Sequence, residues 1–308
     1  MVIANDWWPM QNQDLLALTS AQRDRLAYID LRLRFIGEVR RADLVSRFGI
    51  QTAAATRDLA QYKELAPGNL EYDSKGKVYI PSARIRPIFE FTADRVLTWL
   101  TQGYGDGEPT ICKGLLPHGG VAQATNINLD LLAVITRAIS GGAAIEVNYR
   151  ELADGLTSRE IVPFALTNNG QRWLVRAFDR RGTEFRDFAL GRFDDARAVH
   201  GSFSESERHQ QDIQWNRITE LELVPHPANV RHPDTIEAEH GMVNGVLRMK
   251  VRASMAAYLL DLWKVDCTKD HSLKGEHYHL WLRNRQALYA IANTALAPGY
   301  ETPEQEGH

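Results

Sequence analysis

The stretch Ala144-Ile-Glu-Val-Asn-Tyr149 alternates apolar and polar side chains with a period of two, which predicts a half-buried strand. A second strand is predicted over residues 158–163, and Asn168-Asn-Gly170 supplies the positive φ angles of a tight hairpin turn. Residues 171–179 and 183–190 follow as two further strands. Several short strands separated by close turns predict a small barrel or sandwich.

The charges of this β region are unusual, because residues 143–200 contain nine arginines and no lysine. A guanidinium stays charged at any relevant pH and can hold a phosphate or carboxylate through two hydrogen bonds. Aromatic rings beside such arginines could stack on a base, and a carboxylate could hold one guanidinium in place. The candidate ligand residues lie in or beside the predicted strands: Tyr149, Arg159, Arg172, Trp173, Arg176, Arg186, Asp187 and Arg192.

Ordinary surface pairing is the alternative interpretation of these arginines. The same span also contains nine acidic residues, which is enough to pair with every arginine. The whole chain favours arginine, since only eight of its 36 basic residues are lysines. Residue types alone therefore leave the anion site and the paired surface both open.

Two segments of the β region resemble the signature of a WYL domain: Gly170-Gln-Arg-Trp-Leu-Val-Arg-Ala-Phe-Asp179 and Phe185-Arg-Asp-Phe-Ala-Leu-Gly-Arg-Phe193. The resemblance is to the BrxR and CapW type of regulator that accompanies bacterial phage-defence operons, and it extends from about Leu15 to about Arg285. It implies an α+β chain with three parts: an N-terminal winged helix-turn-helix, a central Sm-like or SH3-like β-barrel, and a C-terminal α/β ferredoxin-like WCX domain. Phe164 and Leu174 stand where that pattern often has histidine.

Length and composition agree with a regulator of this kind. A chain of 308 residues predicts two or three domains, and 44% hydrophobic with 24% charged residues is typical of a globular protein. No apolar run reaches the roughly 18 residues needed to span a membrane, and the N-terminus lacks the features of a signal peptide. Cys112 and Cys267 provide no disulfide framework, which favours a cytoplasmic, nucleoid-associated protein.

The N-terminal region predicts a helix-turn-helix, with helices over residues 20–36, 41–48 and 53–65 and a tight turn at Gly49. The buried face of the third helix is formed by residues at spacing i, i+4 and i+7, namely Ala55, Leu59 and Tyr62. A β-hairpin over residues 69–80 follows, in which Leu70 and Tyr72 are expected to share one face. Together these elements predict a winged helix.

This winged helix is expected to bind DNA, because residues 32–63 contain seven basic and three acidic side chains although the whole chain has a net charge of −3. The expected DNA contacts are polar side chains of the third helix, its approach and the wing tip: Arg40, Gln51, Thr52, Thr56, Arg57, Gln61, Lys75 and Lys77. A helical bundle that uses the motif only for packing is the alternative. Arg57 could also pair with Asp58 or Glu64 instead of DNA.

The chain is expected to divide into four parts: a winged helix-turn-helix over residues 1–90, a helical linker over 91–142, a WYL domain over 143–200 and a WCX domain over 215–300. Within the linker, helices are predicted over 92–100 and 128–140, with a loop over 101–120.

In the C-terminal domain, strands are predicted over residues 218–224, 246–251 and 277–282, with helices over 253–264 and 286–296. The resemblance implies a homodimer formed through this domain. Met255, Leu259, Leu262 and Trp263 are candidate interface residues, and packing within their own core is the alternative.

Other chemistries lack a pattern in the sequence. His277-Tyr-His279 places two imidazoles on one strand face, but no third ligand follows at a metal-site spacing. No nucleophile elbow, phosphate-binding P-loop or dinucleotide fingerprint occurs, so neither an enzyme nor a cofactor is predicted. The resemblance, together with the predicted winged helix, implies a repressor of a phage-defence operon. It would bind an inverted repeat of double-stranded operator DNA and respond to a single-stranded nucleic acid or nucleotide. A transcriptional activator and a protein-binding adaptor that reads no DNA stay open.

Overall fold

The computed structural model describes residues 15, 17–104, 126–199 and 203–302. The chain forms two compact units, one made of Met1–Phe164 with Gly191–Gly201 and the other of Ala165–Leu190 with Ser202–His308. Most of the loop predicted over residues 101–120, including Cys112, lies outside the described residues. Within those ranges, no helix combines the length and the apolar content needed to cross a bilayer.

The first unit begins with helix α1, Ser20–Leu31, which Thr19 caps through a reciprocal pair of bonds with Gln22. The helix continues into a π-helical turn, Arg32–Ile36, and ends at Gly37, whose φ of 89° requires the left-handed region. Leu26, Ile29 and Leu33, which are spaced to lie on one side of the helix, are buried in the core. The predicted helix is therefore confirmed, with an added π-turn at its C-terminal end.

The helix-turn-helix is confirmed as helices α2, Arg41–Phe48, and α3, Thr52–Leu65. Gly49 adopts a φ of 65° between them, and the predicted face of α3 is fully buried. Apolar side chains at i, i+4 and i+7 stay on one side of an α-helix, so burying them leaves the polar side of α3 outward.

The wing is a two-stranded hairpin of β1, Leu70–Asp73, and β2, Val78–Pro81. Val39 pairs with Tyr79 at the outer edge of β2, which attaches the wing to the chain before α2. Tyr72 is 49% exposed, and its ring lies 4.9 Å from that of Tyr79. Leu70 and Val78 are buried, whereas Tyr72 is not.

Two helices follow the wing. Helix α4, Ala93–Gln102, buries Val96, Leu97 and Trp99, and helix α5, Leu129–Gly141, is capped by Asn128. Helix α5 packs against the π-turn that ends α1. In this contact an Arg34 guanidinium nitrogen lies 2.8 Å from an Asp130 carboxylate oxygen, and Arg137 donates to the Arg34 carbonyl at 3.2 Å. The linker helix is thus bound to the winged helix by charged groups.

The central sheet contains five strands in the order β6-β5-β4-β3-β7. These strands are β3, Ile145–Glu151; β4, Gly155–Asn168; β5, Trp173–Asp179; β6, Glu184–Ala189; and β7, Phe193–Ala198. Strand β4 is longer than predicted, because residues 155–157 pair with β3 as well. Among the described residues no pairing joins β6 to β7, so the sheet does not close into the predicted barrel. Every residue of β5 is buried, so neither face of this strand is exposed to solvent.

The C-terminal part of the second unit is α/β, as predicted. Its elements are α6, Ile213–Asn216; β8, Ile218–Pro225; α7, Pro233–His240; β9, Leu247–Arg252; α8, Ala253–Leu262; β10, Val265–Asp266; and β11, Leu280–Leu282. The strands lie in the order β10-β11-β8-β9 around a core that includes Leu221, Leu223 and Leu260. The chain order β-α-β-α-β-β differs from the β-α-β-β-α-β order of a ferredoxin-like domain.

Three details of this part differ from the sequence prediction. Helix α7 was not predicted, although Pro233 near its start and the left-handed Gly241 after its end are typical helix boundaries. The continuous helix predicted over 286–296 is wrong, since the chain forms short 3₁₀ turns interrupted by Ala290 at a φ of 60°. Strand β11 is shorter than the predicted 277–282 and leaves out the histidine pair.

Candidate functional sites

The outward side of α3 carries the polar residues selected from the sequence. Gln51, Thr52, Thr56 and Arg57 are exposed, and Gln61 is half-buried. The Thr56 hydroxyl donates to the Thr52 carbonyl at 3.0 Å, so this hydroxyl offers an external partner mainly its acceptor lone pairs. Arg57 and Gln61 remain the two α3 side chains able to form paired hydrogen bonds with a base edge.

Arg57 has no acidic partner within the described part of the chain. The neighbouring Asp58 is buried and accepts two bonds from Arg25 on α1, at 2.7 and 3.2 Å. No ion pair of Arg57 with Asp58 or Glu64 is present among residues 15, 17–104, 126–199 and 203–302. The alternative pairing considered for Arg57 is therefore not found, and its guanidinium is exposed for another ligand.

The wing tip exposes both predicted lysines. Asp73 accepts the Lys75 amide at 2.9 Å, and Lys77 takes a positive φ of 52°, which together shape the turn. Arg40 differs from these lysines because its guanidinium lies 3.3 Å from Glu38, so DNA would have to compete with that carboxylate. The lysines are thus better placed than Arg40 to neutralise phosphate.

A buried polar network lies on the inner side of α3, and the sequence analysis missed it. The Tyr62 hydroxyl donates to Asp30, and the Asn69 amide donates to Tyr62 at 3.2 Å and to the Arg86 carbonyl at 2.6 Å. The Phe89 amide donates to Asp30 at 3.2 Å. Burial raises the pKa of Asp30 to about 6, although its hydrogen bonds act in the opposite direction. The sequence signal that could have revealed this network is Asp30, an acidic residue among the apolar positions of α1.

In the first unit, two of the predicted ligand residues belong to the core or to an internal ion pair. Tyr149 is 4% exposed and packs edge-on against Phe193, with ring centroids 5.2 Å apart. Arg159 is buried and lies 2.7 Å from Glu151. The expectation that Tyr149 stacks on a base is not met here, because the apolar ring is covered by its own sheet.

In the second unit, Arg176 lies at the centre of a buried charge cluster. Its guanidinium holds Asp212 at 2.8 and 3.2 Å and Asp187 at 3.2 Å, and the Tyr258 hydroxyl donates to Asp187 at 3.3 Å. Burial raises the pKa of Asp187, with Arg176 opposing the shift. The pairing of Asp187 with a guanidinium is the one expected, but Arg176 is engaged by two carboxylates and is not open to an anion. Trp173, expected to stack on a base, is also buried.

The remaining arginines are more accessible. Arg186 is shared among Asp179 at 3.6 Å, Glu184 at 3.9 Å and the ring of Phe188. Arg172 and Arg192 are half-buried, and within the described residues neither side chain has a hydrogen bond or ion pair. Burial raises the pKa of Tyr258 to about 12, and the positive charge of Arg172 opposes this rise.

The C-terminal domain uses its histidines structurally. His226 is fully buried, with Nε2 3.0 Å from Asp266, while Nδ1 accepts the amides of Ala228 and Asn229 at 3.1 Å. Since Nδ1 accepts, the ring hydrogen is on Nε2 and points to Asp266. No group of ligands fit for a metal ion occurs in the part of the chain that is described.

The candidate interface residues of α8 divide between core and surface. Leu259 and Trp263 pack against the domain's own core. Leu262 is 40% exposed but lies against Gly170, and Met255 is half-buried. Packing within the protomer therefore accounts for much of this helix, which was the alternative considered from the sequence.

Three family models match successive parts of the chain. Residues 21–102 match the BrxR transcriptional regulator winged helix-turn-helix domain, and residues 130–198 match the WYL domain. Residues 218–288 match the BrxR transcriptional regulator C-terminal dimerization domain. The order of the three matches is the order implied by the sequence motifs.

Curated relatives extend over nearly the full length. The DNA-binding transcriptional repressor CapW of Escherichia coli (strain KTE188) is 31% identical over 88% of this chain and 91% of its own. CapW of Pseudomonas aeruginosa is 32% identical over 87% of this chain and 90% of its own. Among solved structures, the proteasome accessory factor PafBC of Arthrobacter aurescens aligns with 90% of this chain and 48% of that chain, at 18% identity and a TM-score of 0.26. The domain matches and the full-length relatives together show that the chain belongs to the BrxR/CapW family of transcriptional regulators.

Proposed function

We propose that this chain is a sequence-specific, DNA-binding transcriptional repressor of a phage-defence operon. The observation that carries the proposal is the exposed Arg57 on the polar side of α3, which has no ion pair among the described residues, together with exposed lysines at the wing tip. Relatives of the chain are named DNA-binding transcriptional repressors. The regulator acts without catalysis, in the cytoplasm at the nucleoid, and reads an inverted repeat as a homodimer.

The domain division proposed for this function assigns residues 1–90 to DNA binding, 91–142 to coupling, 143–200 to ligand sensing and 215–300 to dimerisation. The central sheet is proposed to be an open relative of the Sm-like, SH3-like barrels. The C-terminal part is proposed to be a variant of the ferredoxin-like fold in which a strand and a helix have exchanged places. The match to the WYL domain supports the first assignment, and the mixed helix and strand content of the C-terminal part supports the second.

Arg57→Ala is expected to weaken binding to the DNA upstream of the chain's own operon about 10- to 100-fold, because a bidentate contact with guanine contributes roughly 1–3 kcal/mol of discrimination. Binding to a scrambled fragment should change little. Gel shifts on both fragments measure the difference. Lys75→Ala is the control, since loss of a phosphate contact should weaken binding to both fragments and lower the salt slope by about one. An equal loss on both fragments for Arg57→Ala would make Arg57 a phosphate contact instead.

The chain is expected to be a dimer at micromolar concentration and to bind operator DNA as two protomers per site. A two-fold dimer doubles the specific contacts that one winged helix can make, and residues 218–288 match a dimerization domain. Light scattering of the free protein and of the complex measures both stoichiometries. A monomer that binds DNA one to one contradicts the dimer without affecting the DNA-binding proposal.

The repressor is proposed to release DNA when a phosphate-bearing ligand, such as a nucleotide or a single-stranded nucleic acid fragment, binds the WYL domain. Arg172 is the proposed primary contact in the second unit, because its half-buried side chain has no hydrogen bond or ion pair among the described residues. Arg186 is a secondary candidate, since its ion pairs are long. Arg176 is proposed to hold Asp187 and Asp212 in place rather than to contact the ligand. Arg192 is the corresponding candidate in the first unit.

Arg172→Ala is expected to keep operator binding and to reduce induction of the operon during phage infection at least about tenfold. To switch the regulator, the ligand must bind the DNA-free form more tightly, and a 100-fold preference supplies only about 2.7 kcal/mol of coupling. Loss of one charge-assisted hydrogen bond, which contributes roughly 1.5–3 kcal/mol, removes most of this coupling free energy. A reporter fused to the operon's promoter measures induction, with Arg181→Ala, an exposed arginine of the same hairpin, as control. Wild-type induction in a normally folded Arg172→Ala variant would place the ligand elsewhere.

A further inference from the structure

The Arg25 guanidinium on α1 donates two hydrogen bonds to the Asp58 carboxylate on α3. The guanidinium Nε lies 2.7 Å from Oδ2 and Nη2 lies 3.2 Å from Oδ1, while the two side chains are 16% and 5% exposed. Two parallel bonds of this type fix orientation as well as distance. Asp58 follows Arg57 directly in the sequence, so the pair lies beside the outward polar side of α3.

The pair also lies in a shallow groove of about 480 Å³ between α1 and α3. The polar side chains that line the groove are Gln22, Arg25, Arg57, Asp58, Gln61 and Glu64. Arg57 and Gln61, the proposed base-reading residues, therefore share one surface with a carboxylate that Arg25 alone neutralises among the described residues.

Removal of Arg25 would have two effects on this surface. Asp58 and Gln61 are three residues apart on one helix, a spacing at which side chains meet, so a released Asp58 could accept the Gln61 amide. An unpaired carboxylate on α3 would also repel the phosphates that border the major groove. We infer that Arg25 is a positioning residue for DNA reading, which by holding Asp58 keeps Gln61 and Arg57 available to the bases. This inference depends on the DNA-binding function proposed above.

The test uses the full chain as wild type, Arg25→Met, Asp58→Asn and the double variant. Fluorescence anisotropy measures binding to the upstream fragment and to a scrambled fragment across a series of salt concentrations. Arg25→Met, which keeps an apolar stem of similar length, is expected to lower upstream-fragment affinity about tenfold, equivalent to about 1.4 kcal/mol. Adding Asp58→Asn should return the affinity to within about threefold of wild type, since no carboxylate remains to compete.

The salt series separates positioning from direct contact. A positioning role leaves the salt slope of the double variant equal to that of the wild type, whereas loss of a phosphate contact lowers it by about one. Failure of Asp58→Asn to rescue Arg25→Met, or a reduced slope, overturns the inference. If Arg25→Met alone does not fold, a folded double variant that binds poorly overturns it equally. A wild-type chain that binds both fragments alike counts against the proposed function itself.

Discussion

Replacing Arg176 with alanine is expected to destabilise the protein by about 3–5 kcal/mol, the cost typical of leaving buried charges without their partner. Asp187 and Asp212 would both lose the guanidinium that holds them, and the Asp212 side chain is only 1% exposed. Tyr258 would remain as a single neutral donor to Asp187. Urea-induced unfolding, followed by circular dichroism, measures the change in the free energy of unfolding.

Arg186→Ala is the matched control, because it removes an arginine from the strand next to that of Arg176. Its ion pairs are 3.6 and 3.9 Å long and its side chain is 36% exposed, so the expected loss is within about 1 kcal/mol. Equal unfolding midpoints for the two variants would show that the Arg176 cluster does not stabilise the unit. The comparison also matters for interpreting ligand-binding variants. Because Arg176→Ala is expected to destabilise the fold, a weaker ligand response in that variant would reflect loss of folded protein rather than loss of a ligand contact.

The stability of the first unit is expected to fall as the pH rises from about 4 to about 6, owing to Asp30. Its pKa is raised to about 6 in the folded protein, while the ordinary value is 3.8. Between these values the folded state keeps a proton that the unfolded state has released, so raising the pH favours unfolding. A shift of about two units corresponds to roughly 3 kcal/mol, fully present below pH 4 and lost above pH 6.

Asp30→Asn isolates this contribution from those of other carboxylates. Glu207 and Glu222, for example, have lowered pKa values because Arg180 and Arg283 form hydrogen bonds with them. The stabilisation that these two carboxylates give the folded protein is therefore lost as the pH falls. The difference in unfolding free energy between wild type and Asp30→Asn should therefore shrink by roughly 3 kcal/mol between pH 4 and pH 7. A difference that does not vary with pH would mean that Asp30 ionises normally in the folded chain.

Periodicity predicted the helix-turn-helix well, because its core is local. Ala55, Leu59 and Tyr62 define the buried face of α3 from spacing alone, and Gly49 marks the turn through a conformation that other residues adopt at a cost. The predicted strands of the β region were found for the same reason. The missed end of β4 shows the limit, since residues 155–157 have no alternation that would distinguish a strand from a turn.

The side-chain sites could not be predicted to the same degree. Arg172 and Arg176 have the same residue type and the same parity in the strand predicted over 171–179, yet Arg176 is buried between two carboxylates, whereas Arg172 has no carboxylate partner among the described residues. Asp212, which decides this difference, lies 36 residues away in a stretch with no periodic pattern. Such partners become visible only when tertiary packing brings distant segments together. The pairing of Arg25 with Asp58 was hidden from sequence reasoning for the same reason.

The contact between Gly170 and α8 has a consequence for how the family can diversify. Gly170 has a φ of 87°, and a β-carbon added there would collide with the Leu262 side chain. Two independent constraints, the backbone conformation and the limited space, therefore both favour glycine at position 170. Any other residue at this position must adopt a left-handed backbone conformation at a cost and displace the Leu262 side chain, so a substitution there alone is expected to be destabilising. The hairpin and the helix should consequently change together during evolution, as a compensating pair, or stay fixed.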